Sequence, residues 1–134
     1  MSDKTTLLRA FNNTFFEFLD DIIRIFPENR DILDAKTTFE LFKKANPTSL
    51  LKAWYHFVYK PYYDQIRVGN IEFFLDKDYS EDLNHMSNSG DIMKTIDRIR
   101  GPIREMGEEN KKHSVVYMQN LCKLSELYAA IGAI

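Results

Sequence analysis

The sequence predicts an all-α fold, a single compact bundle of five to six helices over residues 1–134, with a proline-kinked third helix and a long C-terminal helix. Three observations carry that prediction. Leu7, Leu8, Phe11, Phe15, Phe18, Leu19, Ile22 and Phe26 recur at steps of three and four, the period of one helix face. Tyr117, Leu121, Leu124, Tyr128 and Ile131 repeat that spacing near the C-terminus. No segment offers a strand with a partner to pair with.

The first helix is expected over Thr5–Phe26, where Phe16, Ile23 and Ile25 widen the apolar arc enough for neighbours on two faces. Pro27 stops it. Glu28 or Asn29 can begin the second helix, with Asp31 and Asp34 near the positive end of its dipole. Ile32, Ala35, Phe39 and Phe42 form its apolar stripe, and Lys43 and Lys44 suit its C-terminal end. Asn46-Pro47 reads as an N-cap followed by proline at the first position of the third helix. That helix must accommodate Pro61, which has no amide hydrogen and crowds the Phe57 carbonyl. It either kinks there or ends near Tyr59, with a new helix from Pro61. Gly69 and Asn70 close the segment, and residues 70–75 are expected as a short helical turn.

Residues 76–90 form the longest polar connection. Ser89 can cap a helix carrying Ile92, Ile96 and Ile99, which Gly101-Pro102 is expected to interrupt before Ile103 and Met106. Gly107-Glu108-Glu109 opens the last helix. Its four-three spacing is that of a coiled-coil seam, yet two heptads are too short for one, so an internal core stripe is the expectation, with a homodimer contact as its rival.

Composition excludes several classes. The chain has 134 residues, 44% hydrophobic and 28% charged, enough for one core without disulfides. Cys122 is the sole cysteine and sits in an apolar helical pattern, the setting of a small buried hydrophobe. Asp20, Asp21 and Arg24 interrupt the most apolar stretch, and the N-terminus lacks a signal-peptide core, so no membrane partner and an intracellular, non-secreted location are expected. Charge is segregated along the chain: residues 36–67 balance to +4, residues 72–91 to -5 and residues 94–104 to +3.

Catalytic and cofactor signatures are missing from the sequence pattern. His56, His85 and His113 lie far apart with no second ligand at metal-site spacing. Asp76-Lys77-Asp78-Tyr79-Ser80 imitates a calcium loop, but Glu81 stands where the turn needs glycine and Ser87 where a bidentate glutamate is needed. No glycines cluster into a phosphate cradle. Adjacent acids such as Asp20-Asp21 diverge on a helix and cannot flank one substrate atom. The expectation is a non-enzymatic protein with no cofactor.

The densest feature is residues 54–63, which hold six of the eighteen aromatic rings. On a helical wheel, Leu50, Trp54, Phe57, Val58 and Tyr62 share the arc to be buried. Beside it run Tyr55, Tyr59 and Tyr63, and beside those Lys52, His56 and Lys60. These six residues are the candidate interaction surface, because rings give contact area at small entropic cost and lysines attract acidic protein or phosphate. Against that stands the plainer reading, in which the tyrosines roof the core and the lysines extend past them.

The segments Leu7–Asp31, Lys44-Ala45-Asn46-Pro47, Asp78–Leu83 and Ile103–Tyr128 resemble uncharacterised small proteins of nucleocytoplasmic large DNA viruses, giant viruses of the Marseillevirus kind. The likeness spans nearly the whole chain but contains no chemical signature and no catalytic residue to transfer. It implies a virus-encoded helical protein, packaged in the virion or acting early in the host cytoplasm or nucleus. Two functions compete: capture of a viral or host protein, with homodimerisation open, and a nucleic-acid accessory role using Lys43, Lys44, Lys52, Lys60, Arg67 and the tyrosines. The pI near 5.9 and the acidic 72–91 segment weigh against the second.

Overall fold

The computed structural model describes residues 3–76 and 88–132, and every described element is helical. Helix α1 spans Lys4–Ile25, α2 Arg30–Ala45, α3 Ser49–Trp54, α4 Lys60–Arg67, α5 Ile71–Asp76, α6 Asn88–Glu105 and α7 Glu108–Ala130. A π-helical turn, Tyr55–Tyr59, joins α3 to α4. The all-α expectation therefore holds, including the long C-terminal helix. The calcium-loop imitation beyond Asp76, His85 and the Asp78–Leu83 segment fall outside the described residues.

Local chemistry sets the ends. Asp3 accepts a hydrogen bond from the Thr6 amide at 2.7 Å and caps α1, and Asn29 does the same for α2 through the Ile32 amide at 3.3 Å. The third helix begins later than expected. Asn46 Oδ1 accepts from both the amide (3.0 Å) and the hydroxyl (2.8 Å) of Thr48, so Asn46 organises a turn around Pro47, and the helix starts at Ser49. At the far end of α4 the Gly69 amide donates to the Ile66 carbonyl and the Asn70 amide to the Gln65 carbonyl, a Schellman closure. Gly69 takes φ +85°, the left-handed region that glycine enters at least cost.

Pro61 is resolved by widening. In the π turn the Lys60 amide reaches the Tyr55 carbonyl, one residue farther than in an α-helix. The extra residue eases the crowding between the proline ring and the preceding turn, so the chain stays helical through the site instead of breaking.

Pro102 gives a second departure from expectation: α6 continues through Gly101-Pro102 to Glu105. Continuity puts Ile96, Ile99 and Ile103 on one buried stripe, which α6 lays along α2, and Met106 is buried just past its end. The burial of four large side chains, at about 1.5–3 kcal/mol each, offsets the missing hydrogen bond.

Helix α1 packs along α7, and Phe11, Phe15, Phe18, Leu19 and Ile22 are almost wholly enclosed. The centre of the core is aromatic: Phe15 meets Phe39 edge-on at 4.9 Å and Trp54 edge-on at 6.5 Å. One cluster of buried residues draws on all seven described helices. Arg100 and Arg104 of α6 both donate to the Leu75 carbonyl, satisfying the C-terminal end of α5 with charge-assisted bonds.

The stripe buried on α7 is rotated from the expected seam. Ser114, Met118, Leu121, Cys122, Ser125 and Tyr128 are enclosed, whereas Tyr117 and Leu124 lie on the flank and Ile131 is 49% exposed. Tyr117 finds its partner on α1, stacked on Phe18 at 5.2 Å.

Candidate functional site

The third helix carries the candidate face, and its residues divide sharply by depth. Trp54, Val58 and Tyr62 are buried as the wheel requires. Phe57 departs from it: the π turn rotates this position, and the ring is only half-buried. Lys52, His56 and Lys60 are exposed, and Tyr55, Tyr59 and Tyr63 lie between the two sets, half-buried.

The three tyrosines form a ladder. Tyr55 and Tyr59 stack with centroids 5.1 Å apart and planes 15° from parallel, and Tyr59 and Tyr63 follow at 4.8 Å and 37°. Side chains four apart meet on a helix, and the wider π turn keeps them in register. The Tyr59 phenol lies near the Glu126 carboxylate of α7, and burial together with that negative charge pushes its pKa up to about 12. Tyr59 and Tyr63 also pack against the core. The tyrosines thus roof the core while keeping one edge toward solvent.

Cations line that edge. Lys60 Nζ stands 5.7 Å from the Tyr55 ring centroid, a cation–π contact, and His56 meets the same ring edge-on at 5.4 Å. Partial burial, followed by the charges of Lys60 and Lys52, holds His56 below its usual pKa, so at neutral pH it is an uncharged imidazole between two ammonium groups. All six residues singled out from the sequence are therefore brought together on one face. Lys43 and Lys44, counted in the same basic segment, do not extend this row: they line a groove with Phe16, Lys36, Glu40 and Pro47.

Cys122 is enclosed, accepts a hydrogen bond from Trp54 and has its thiol pushed up to about 11 by burial, the opposite of an activated nucleophile. Among the described residues no three His, Cys, Asp or Glu side chains gather within reach of one metal ion, and no helix is long and apolar enough to cross a membrane. The chain matches no protein-family model, no curated protein and no solved structure.

Sequence reasoning found the row but missed the carboxylate beside it. Glu126 is 67 positions from Tyr59 in the chain, and only the packing of the third helix on α7 makes them neighbours.

Proposed function

We propose that this chain is a non-enzymatic interaction protein that captures an acidic viral or host protein on the face made by Lys52, Tyr55, His56, Tyr59, Lys60 and Tyr63. The viral setting, in the virion or early in the host cell, follows from the resemblance of its sequence to giant-virus proteins. The single observation that supports the reading most is the exposed Lys52–His56–Lys60 row set against a stacked tyrosine ladder. Rings already held by contact with one another lose little freedom on binding, and Lys60, extended over Tyr55, is placed to meet a carboxylate.

Anisotropy titrations with a glutamate-rich peptide carrying one aromatic residue, and in parallel with a single-stranded oligonucleotide, separate this reading from nucleic-acid binding. Peptide binding that disappears in the Lys52→Glu, Lys60→Glu double variant supports protein capture. Oligonucleotide binding that falls steeply with salt, with no peptide binding, transfers the face to the alternative. Mass spectrometry of what co-purifies with the tagged chain, compared with that double variant, then identifies the partner, and sedimentation of the pure chain tests homodimerisation.

A further inference from the structure

A groove distinct from the tyrosine face opens between α1, α2 and the turn before α3. Phe16, Lys36, Glu40, Lys43, Lys44 and Pro47 line a space of about 600 Å³, and Lys43 and Pro47 also border an adjoining space of about 280 Å³ lined by Thr5, Leu8, Arg9, Asn12 and Asn13. The first alone falls in the size range of small-molecule sites.

Three features give it a chemistry. A flat apolar wall comes from Phe16, half-buried, and Pro47, with Lys43 Nζ 5.2 Å from the Phe16 ring centroid. Cations dominate the rim: Arg9, Lys36, Lys43 and Lys44 stand against Glu40 alone. Lys36 is held by Asp20 at 2.6 Å, whereas among the described residues neither Lys43 nor Lys44 has a carboxylate within ion-pair reach. Finally, Asn12 is 5% exposed; its amide nitrogen donates to the Pro47 carbonyl at 3.1 Å, while its Oδ1 is buried with no hydrogen-bond partner. Asn12 borders the smaller space, and an unmatched acceptor beside it is a group that a ligand's N–H or O–H would satisfy once the side chain turns toward it.

We propose that this groove binds a small aromatic anion: a planar ring lying against Phe16 and Pro47, a phosphate or carboxylate held by Lys43 and Lys44, and a donor directed toward Asn12. Two unpaired ammonium groups beside one aromatic wall read charge and flatness together, which neither a neutral ring nor a bare anion satisfies. Phosphate and carboxylate share this chemistry, so a nucleoside monophosphate and an aromatic acid are both tested.

The experiment titrates the full chain, followed by amide chemical shifts and calorimetry, with adenosine monophosphate, 4-hydroxybenzoate, adenosine and inorganic phosphate. The expected result is that at least one aromatic anion binds, moving the amides of Phe16, Lys43 and Lys44, and that adenosine and inorganic phosphate each bind at least tenfold more weakly. The tighter of the two aromatic anions names the source of the charge. Lys43→Met with Lys44→Gln, both at exposed positions, lowers the affinity at least tenfold, and Lys52→Glu with Lys60→Glu leaves it unchanged, which separates this site from the tyrosine face. Absence of binding by both aromatic anions overturns the proposal. So does inorganic phosphate binding as tightly as adenosine monophosphate, or affinity unchanged in the Lys43, Lys44 variant.

Discussion

The indole Nε1–H of Trp54 donates a hydrogen bond to the sulfur of Cys122 at 3.4 Å, tying the third helix to the last across 68 positions of sequence. Both side chains are enclosed, and the Trp54 ring also meets Phe15 edge-on, so three helices converge on one indole. Trp54→Phe removes the donor and part of the ring and is expected to cost about 2–4 kcal/mol in urea denaturation. The same enclosure makes Cys122 inert: a thiol-specific chromogenic reagent at pH 8 reacts only as fast as the chain unfolds, and prompt labelling of the native protein would contradict the packing described.

The tyrosine ladder serves stability as well as recognition, and the two roles separate by substitution. Tyr59→Phe keeps the ring and loses only the hydroxyl beside Glu126, and is expected to cost under about 1 kcal/mol. Changing Tyr55, Tyr59 and Tyr63 together to Ala strips one stacked and one tilted ring pair from the roof of the core, and the melting temperature falls by about 10 °C, corresponding to about 2–4 kcal/mol. An unchanged melt would place the rings wholly outside the core. For this reason the exposed lysines, not the tyrosines, are the clean probe of partner binding.

Much of this architecture was legible in residue spacing. The apolar positions of α1 recur every three or four residues, and only a helix can put Phe11, Phe15, Phe18 and Ile22 on one face. The glycine closure at Gly69 and the Asn29 cap were legible for the same reason, since their hydrogen bonds are local. The prolines were not. Whether Pro61 breaks a helix or widens it, and whether Pro102 ends α6, depends on what the neighbouring side chains gain by staying aligned, a tertiary quantity that no local motif encodes. The six residues of the tyrosine face came from the wheel. The groove beside Phe16 did not, because Phe16 and Lys43 belong to different helices and meet only through the packing of α1 on α2.

Gly101 offers a test of the continuous α6. It is helical, and a Cβ built there meets no atom within 4 Å apart from its chain neighbours and the backbone of its own helix. Alanine at this position restricts the unfolded chain, but in the helical conformation its Cβ crowds the Pro102 ring, so Gly101→Ala is expected to leave stability within about 0.5 kcal/mol of the native chain. Had the helix broken at Gly101-Pro102 with Gly101 extended, that crowding would vanish and the same change would stabilise by about 0.5–1 kcal/mol in thermal denaturation.

The last prediction concerns pH, and its sign follows from His56. Burial first, then the ammonium groups of Lys60 and Lys52, lower its folded-state pKa beneath the ordinary 6.5. The unfolded chain therefore takes up the proton first as pH falls, so the stability associated with the neutral ring is fully present above about 6.5 and is lost as pH drops through the folded pKa. Titration of the His56 ring by NMR should give a midpoint below 6.5, and Lys60→Gln should move it upward, with Lys52→Gln doing so to a smaller extent because its charge contributes less. A midpoint unmoved by both substitutions would mean that the lysines point away from the imidazole, and the cationic row would lose its cohesion. An acidic partner supplies the converse test. Carboxylates docked on Lys52 and Lys60 favour the charged imidazole, so binding should raise the His56 midpoint and tighten as pH falls from 7 toward 6.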